Sequence, residues 1–364
     1  MGSPLPFEVL RKALTDPAAA ALPDLPLDAW DLMIRQARRA GLLARLAWKI
    51  EQQGLSDGVP ACVRPHLEAE RTLAAKHARD VRWEVRCIQA ALAPLDIPVI
   101  LLKGAAYLIA GLPAANGRVF GDVDILVPKP RLADVESALY EAGWRLIDKD
   151  SYDLDYYRRW MHQLPPLQHE GRRTVIDVHH TILPETARVE LPAEALVDAA
   201  LPVAAGQERL RVLAPPDMVL HSATHLFREG EFPRGLRDLH DLDALLRHFP
   251  AADPDFWPSL LRRGRALDLG RPLFYALRHA VRLFATPVPA EILDGAARFA
   301  PPPPVLRLMD ALLAQALRPP HASCRDPATP AALWLLYVRA HHLRMPPHLL
   351  LPHLARKALR RPED

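Results

Sequence analysis

Hydrophobic positions along this chain change period twice. From residue 6 to about residue 92 the apolar residues recur at helical spacing, as in Leu32-Met33-Ile34-Arg35-Gln36-Ala37 and Leu42-Leu43-Ala44-Arg45-Leu46-Ala47-Trp48. This predicts several helices, broken near Gly54 and Gly58-Val59-Pro60. Residues 67–92 read as one long helix, with Trp83 and Ile88 among its apolar contacts. Short β-rich runs follow. Ile97-Pro98-Val99-Ile100-Leu101-Leu102 predicts a strand, Lys103-Gly104 a tight turn, and residues 105–110 a helix. After a loop through Pro113 and Gly117, the tail of Gly121-Asp122-Val123-Asp124-Ile125-Leu126-Val127 predicts a second strand. A helix over about 130–142, closed by Gly143, a strand at 144–147 and a further strand at 174–179 complete this region.

Beyond Pro184 the pattern returns to helices. Pro215-Pro216 opens one, a second begins near Leu236, and residues 258–360 read as helices with proline-rich joints such as Pro301-Pro302-Pro303-Pro304. The expected organisation is an α+β fold in three regions: helical residues 1–95, an α/β core at 96–185, and helical residues 186–364.

Composition narrows the class. Of 364 residues 50% are hydrophobic and 24% charged, which suits a soluble globular chain with a sizeable core. The formal charge of +3 is too small for a general polyanion binder, so there is no strong nucleic-acid signature. Cys62, Cys87 and Cys324 are far apart and odd in number, predicting buried thiols in a reducing, cytoplasmic compartment. The first residues lack a basic stretch followed by an apolar run, so no signal peptide is expected. The run Leu349-Leu350-Leu351 falls far short of the roughly 20 apolar residues that span a bilayer. Abundant Pro, Ala, Leu and Arg fit a GC-rich bacterial genome.

The chemistry concentrates in the middle region. On a strand, residues two apart share a face, so Asp122 and Asp124 project to the same side, roughly 7 Å apart along the backbone. Such a pair suits two Mg²⁺ ions about 4 Å apart, the arrangement that clamps attacking and leaving oxygens in an in-line displacement. A third carboxylate on a neighbouring strand is then expected, and Asp177 within Val175-Ile176-Asp177-Val178-His179 is the candidate. Its apolar neighbours make an unpaired charge costly, a cost that a cation would remove. Lys103 and Gly104 offer a cationic turn for phosphates, Gly121 precedes the paired aspartates, and Arg118 is a second cation within reach of a triphosphate.

Taken together, Leu101-Leu102-Lys103-Gly104, Arg118 with Gly121-Asp122-Val123-Asp124-Ile125-Leu126-Val127, and Asp177-Val178-His179-His180 resemble a bacterial nucleotidyltransferase family of the polymerase β-like superfamily. The resemblance covers about residues 97–180 well and the helical region to about 246 more loosely. It implies a polymerase β-like core, a small mixed sheet with helices, flanked by N- and C-terminal helical regions. It also implies that Asp122, Asp124 and Asp177 bind two Mg²⁺ or Mn²⁺ ions and that an NMP passes from an NTP to an acceptor. Lys103, Gly104, Arg118 and Gly121 would bind the nucleotide. The chain departs from the wider superfamily in carrying Lys103-Gly104 where Gly-Ser is usual. Some relatives lie near peptide-modification genes, so the acceptor classes are a modified peptide, a protein, a small molecule or an RNA end.

Each of these residues has an ordinary structural reading as well. Asp-x-Asp also occurs at solvated strand edges, Asp177 could be a salt-bridged core residue, Lys103 a surface lysine, and Arg118 a pin for its own loop. His179 shares parity with Asp177 and either supports the metal or acceptor or is a hydrogen-bonded core histidine. Downstream, His225, Arg237 and Asp238 are candidate contacts for base, ribose or acceptor on a helical cap, with interhelical packing as the alternative. His221 and His225 at i and i+4, followed by His240-Asp241, superficially suggest a metal-dependent phosphohydrolase. A stretch with Tyr152, Tyr156, Tyr157 and Trp160 among Arg158 and Arg159 either lines an acceptor groove or is a plain insertion. A non-catalytic nucleotide- or partner-binding protein on the same fold is the competing class.

Overall fold

Among the described residues, seven short strands form one mixed sheet, on which the helices are laid. The computed structural model describes residues 5–147, 161–189, 191–206 and 208–344. The strands are β1 (Val99–Leu101), β2 (Val123–Leu126), β3 (Trp144–Leu146), β4 (Leu167–His169), β5 (Val175–His179), β6 (Leu201–Pro202) and β7 (Leu210–Val212). Their spatial order is β3-β4-β5-β2-β1-β7-β6. Strand β2 runs antiparallel to β1 and parallel to β5, while β7 runs parallel to β1. Every residue of β1 and β2 is buried, as expected of central strands covered on both faces. Asp124 is the one charged residue in that buried pair of strands.

Before the sheet come α1 (Glu8–Thr15), α2 (Leu27–Ala40), α3 (Leu43–Gln52) and α4 (Arg64–Leu92). Within it lie α5 (Lys103–Ile109), α6 (Leu132–Glu141) and α7 (Ala193–Ala199). After it come α8 (Pro215–Arg228), α9 (Gly235–Ala252), α10 (Phe256–Ala266), α11 (Gly270–Phe284), α12 (Ala290–Ala297), α13 (Pro303–Ala316) and α14 (Thr329–Arg344). The long helix α4 packs on β2, α5 and α6, and α8 packs on α5, α9, α10 and α11. Buried residues from all three predicted regions, among them Trp30, Ile100, Val178 and Leu220, belong to a single core. Gly143 takes φ +96° directly after α6, the left-handed geometry that ends a helix.

The structure departs from expectation at three points. Trp83 is 55% exposed, with the Arg86 guanidinium 5.3 Å from its ring. Only the stripe Leu67, Ala74, Val81, Val85, Ile88 and Leu92 of α4 is buried, and Trp83 lies off it. Cys62 is exposed in the turn before α4, whereas Cys87 is half-buried and Cys324 buried. The sheet also continues beyond residue 185: β7 pairs with β1 and β6 with β7. Two- and three-residue strands are too short to show an alternating pattern. Among the described residues no helix is long and apolar enough to cross a membrane. The Tyr152–Trp160 stretch and Leu349-Leu350-Leu351 lie outside the described residues.

Candidate metal and nucleotide site

Strands β2 and β5 align so that Asp124 pairs with Asp177 and Leu126 with His179. Paired residues on adjacent strands share a face, and so do residues two apart on one strand. Asp124, Asp177 and His179 therefore converge, with potential ligand atoms all within 4.8 Å of one another. Among the described residues no other three His, Cys, Asp or Glu side chains approach one another so closely.

The two carboxylates occupy opposite electrostatic environments. Burial raises the proton affinity of Asp124, but Lys103 and then His179 outweigh it and hold the carboxyl far below the usual range. Lys103 Nζ donates to Asp124 Oδ1 at 2.9 Å, and His179 Nε2 donates to the same oxygen at 3.1 Å. Asp177 Oδ1, by contrast, is buried with no hydrogen-bond partner. Burial first and the neighbouring Asp124 charge second push its pKa up to about 6. His179 Nδ1 and His162 Nδ1 are also buried without partners, and the two imidazole rings lie 5.3 Å apart. His162 is absent from the sequence reading, because a lone histidine there carries no motif; the pairing of Gln163 with His179 brings it to the site.

Asp122 stands immediately before β2 and is exposed, as is Gly121. It lies outside the close group but near enough for its charge to act on Asp177, Lys103 and Arg234. Asp122 and Gly121 line a cavity of about 470 Å³ with His77, Asp80, Phe120 and Arg173. That volume falls in the range of small-molecule sites.

Lys103 takes φ +46°, a left-handed conformation that costs a non-glycine residue strain. Gly104 is closely packed in a way the sequence does not reveal. A Cβ there would stand 2.1 Å from Arg118 Nη1 and 3.1 Å from the Phe120 ring, so the guanidinium fills the space beside the turn. Arg118 in turn donates from Nε to Asp241 Oδ2 at 3.0 Å, with its guanidinium carbon 5.4 Å from the centre of the Phe120 ring. These contacts hold the loop that carries it.

The downstream residues divide into two groups. His240 and Asp241 face the buried Arg45, which donates to Asp241 Oδ1 at 2.8 Å and lies 2.9 Å from His240 Nδ1. Arg45 also bonds the carbonyls of Asn116 and Ala114. Asp241 thus bridges two guanidiniums and closes a structural network; neither it nor His240 joins a metal-competent group among the described residues. The second group is His225, Arg237 and Asp238, of which His225 interacts electrostatically with Asp124. His225 Nε2 is 3.1 Å from Glu229 and half-buried, and burial lowers its pKa against the opposing charge of Glu229. Arg237 holds Asp238 at 2.7 Å. His225 and Asp238 act on one another electrostatically, and His225 feels Lys103 and Asp124. His221 is buried one turn before His225, and its pKa is pushed well below its usual range by burial and then by Lys103.

Two carboxylates offer the oxygen donors that suit Mg²⁺ or Mn²⁺, and the imidazole adds a nitrogen donor more usual for transition metals. The partnerless Asp177 Oδ1 supports that fit, because a buried carboxylate oxygen otherwise bears an uncompensated desolvation cost.

The fold and this site define an α+β protein with a metal-competent acidic centre. A family model described as an uncharacterised nucleotidyltransferase matches residues 26–285, and the chain belongs to that family. No curated protein and no solved structure matches the chain.

Proposed function

We propose that this protein is a metal-dependent nucleotidyltransferase that moves an NMP from an NTP to an acceptor hydroxyl or phosphate and releases pyrophosphate. One observation carries this reading: Asp124 and Asp177 are in register on parallel strands, and one of them keeps a buried oxygen without a partner. Asp124 and Asp177, with His179 completing the donor set, would hold a Mg²⁺ or Mn²⁺ ion; Asp122, at the mouth, would join Asp124 in holding a second. Cations bound there would neutralise charge on the α-phosphate during in-line displacement. An acceptor oxygen forms a bond to the α-phosphorus while the bond to the pyrophosphate oxygen breaks.

Asp177, beside the proposed ions, would orient an acceptor hydroxyl and help to remove its proton. Lys103, with Arg118 behind it, would face the β- and γ-phosphates, and Gly121 would leave room beside Asp122. His225, Arg237 and Asp238 are the proposed contacts to base, ribose or acceptor. The acceptor is proposed to be a peptide, protein, small molecule or RNA end; a formal charge of +3 gives little support to a long nucleic acid.

Replacing Asp122 and Asp124 together with alanine tests the reading: transfer of label from an α-labelled NTP should be lost, and retained transfer would refute it. The Lys103–Asp124 ion pair favours one second reading, a non-catalytic protein that binds nucleotide or partner on the same fold. Nucleotide binding indifferent to Mg²⁺ or Mn²⁺ would select that alternative.

A further inference from the structure

One oxygen of the proposed metal-binding pair is already held by a cation. Asp124 Oδ1 is shared between Lys103 Nζ at 2.9 Å and His179 Nε2 at 3.1 Å, while the adjacent Asp177 Oδ1 has no partner. Lys103 thus satisfies one carboxylate of the pair and leaves the other unsatisfied. An ammonium and a divalent ion cannot share one oxygen at these distances without strong repulsion in a buried site. Lys103 must therefore leave Asp124 Oδ1 before that oxygen can hold a metal.

Two features suit Lys103 to withdraw. Its backbone is held at φ +46°, so strain is already present at the residue that must move. Its side chain is 22% exposed, against 5% for Asp124, so it has a route out of the cluster that the aspartate lacks. The groups facing Lys103 are acidic on several sides: Asp124 and Asp122 from the β2 region, and Glu229 at the end of α8. A polyphosphate arriving at the mouth would be a competing partner of higher charge.

We propose that Lys103 is a resident counter-ion that blocks the metal site until a nucleoside triphosphate draws it away, making full metal loading depend on nucleotide. This deepens the nucleotidyltransferase reading and rests on it. It differs from a merely structural ion pair in one respect: removal of the lysine should strengthen metal binding and weaken nucleotide binding. Loss of a structural pair would weaken both.

Mn²⁺ titration of the full-length protein without nucleotide, followed by electron paramagnetic resonance, gives a readout independent of activity. Lys103→Gln is expected to bind Mn²⁺ at least about tenfold more tightly than wild type. Lys103→Gly, which also relieves the left-handed backbone, guards against misfolding of the first variant and should show the same gain. Adding Asp177→Asn to Lys103→Gln should abolish the gain, assigning it to this site. Affinity for ATP with Mg²⁺, measured by calorimetry, should fall about tenfold in both single variants. Mn²⁺ affinity within twofold of wild type in both single variants would overturn the proposal, whereas Mg²⁺-dependent NMP transfer by wild type would still uphold the function. Tighter Mn²⁺ binding in variants of a protein that binds no ATP would overturn the nucleotide gate together with the transferase reading.

Discussion

Asp124 and Asp177 face one another in register across two parallel strands, yet Oδ1 of Asp124 accepts two hydrogen bonds while the buried Oδ1 of Asp177 has no partner among the described residues. This asymmetry separates the cost of the site from its use. Above pH 6 the protein carries a buried Asp177 charge that the unfolded chain would keep solvated.

Asp177→Asn should therefore stabilise the metal-free protein while removing its metal affinity. The pKa of about 6 is raised from 3.8, so the carboxyl's relative contribution is most favourable below pH 3.8 and is lost as pH rises through 6. The gain of the variant over wild type should be on the order of 3 kcal/mol at pH 8 and shrink below pH 6. Denaturant unfolding of both proteins at pH 8 and pH 5, with EDTA present, measures it. An equal difference at the two pH values would contradict the assignment.

The same residues show how far the sequence could be read. Strand alternation was enough to place Asp177 and His179 on one face, and Asp124 on its strand, because each lies in a run of β-branched residues. The pairing of β2 with β5 joins residues more than fifty positions apart and leaves no local signature. Asp122 illustrates the limit of alternation: β2 begins at Val123, so the first aspartate is at an exposed strand entrance. Gly104 reads as a cationic turn, and its tight packing against the guanidinium of Arg118 is a tertiary contact that the sequence does not show. Only the distant Asp241 explains where that arginine goes. His162 and β7 were invisible for the same reason: their partners are supplied by tertiary structure.

Asp241 should behave as a structural residue. Its side chain is 4% exposed and pairs with Arg45, itself 3% exposed, as well as with Arg118. Asp241→Ala leaves two guanidiniums without their shared carboxylate and should cost about 3–5 kcal/mol in denaturant unfolding. A phosphohydrolase centre would instead lose hydrolysis of a phosphoester with little loss of stability.

Gly104→Ala tests the packing beside the lysine turn. With the new Cβ 2.1 Å from Arg118 Nη1, the guanidinium must shift, at an expected cost of about 1–3 kcal/mol. Combining it with Arg118→Ala should make the two effects less than additive, because the second change removes the clash. Additive losses in thermal or denaturant unfolding would show that the contact does not limit this position.

His279 supplies a pH-dependent element away from the site. It is buried beside Phe227, its Nε2 lacks a hydrogen bond, and burial lowers its pKa from 6.5 to about 4 despite the opposing Asp310. A depressed histidine contributes stability above pH 6.5 that is lost as pH falls towards 4. The loss should be on the order of 3 kcal/mol, and His279→Phe should remove that part of the acid slope. Unfolding free energies at half-unit pH intervals from 7 to 4 would reveal the difference between the two proteins, and parallel curves would argue against it.

Nucleotidyl transfer itself is tested most directly with the purified protein, Mg²⁺, each α-labelled NTP and a cell extract supplying acceptors. Wild type should transfer label to a discrete acceptor, and Asp177→Asn should reduce that transfer by about 100-fold or more. Transfer undiminished in Asp177→Asn, or no transfer by wild type with any of the nucleotides, would contradict the function proposed for the Asp124–Asp177 pair.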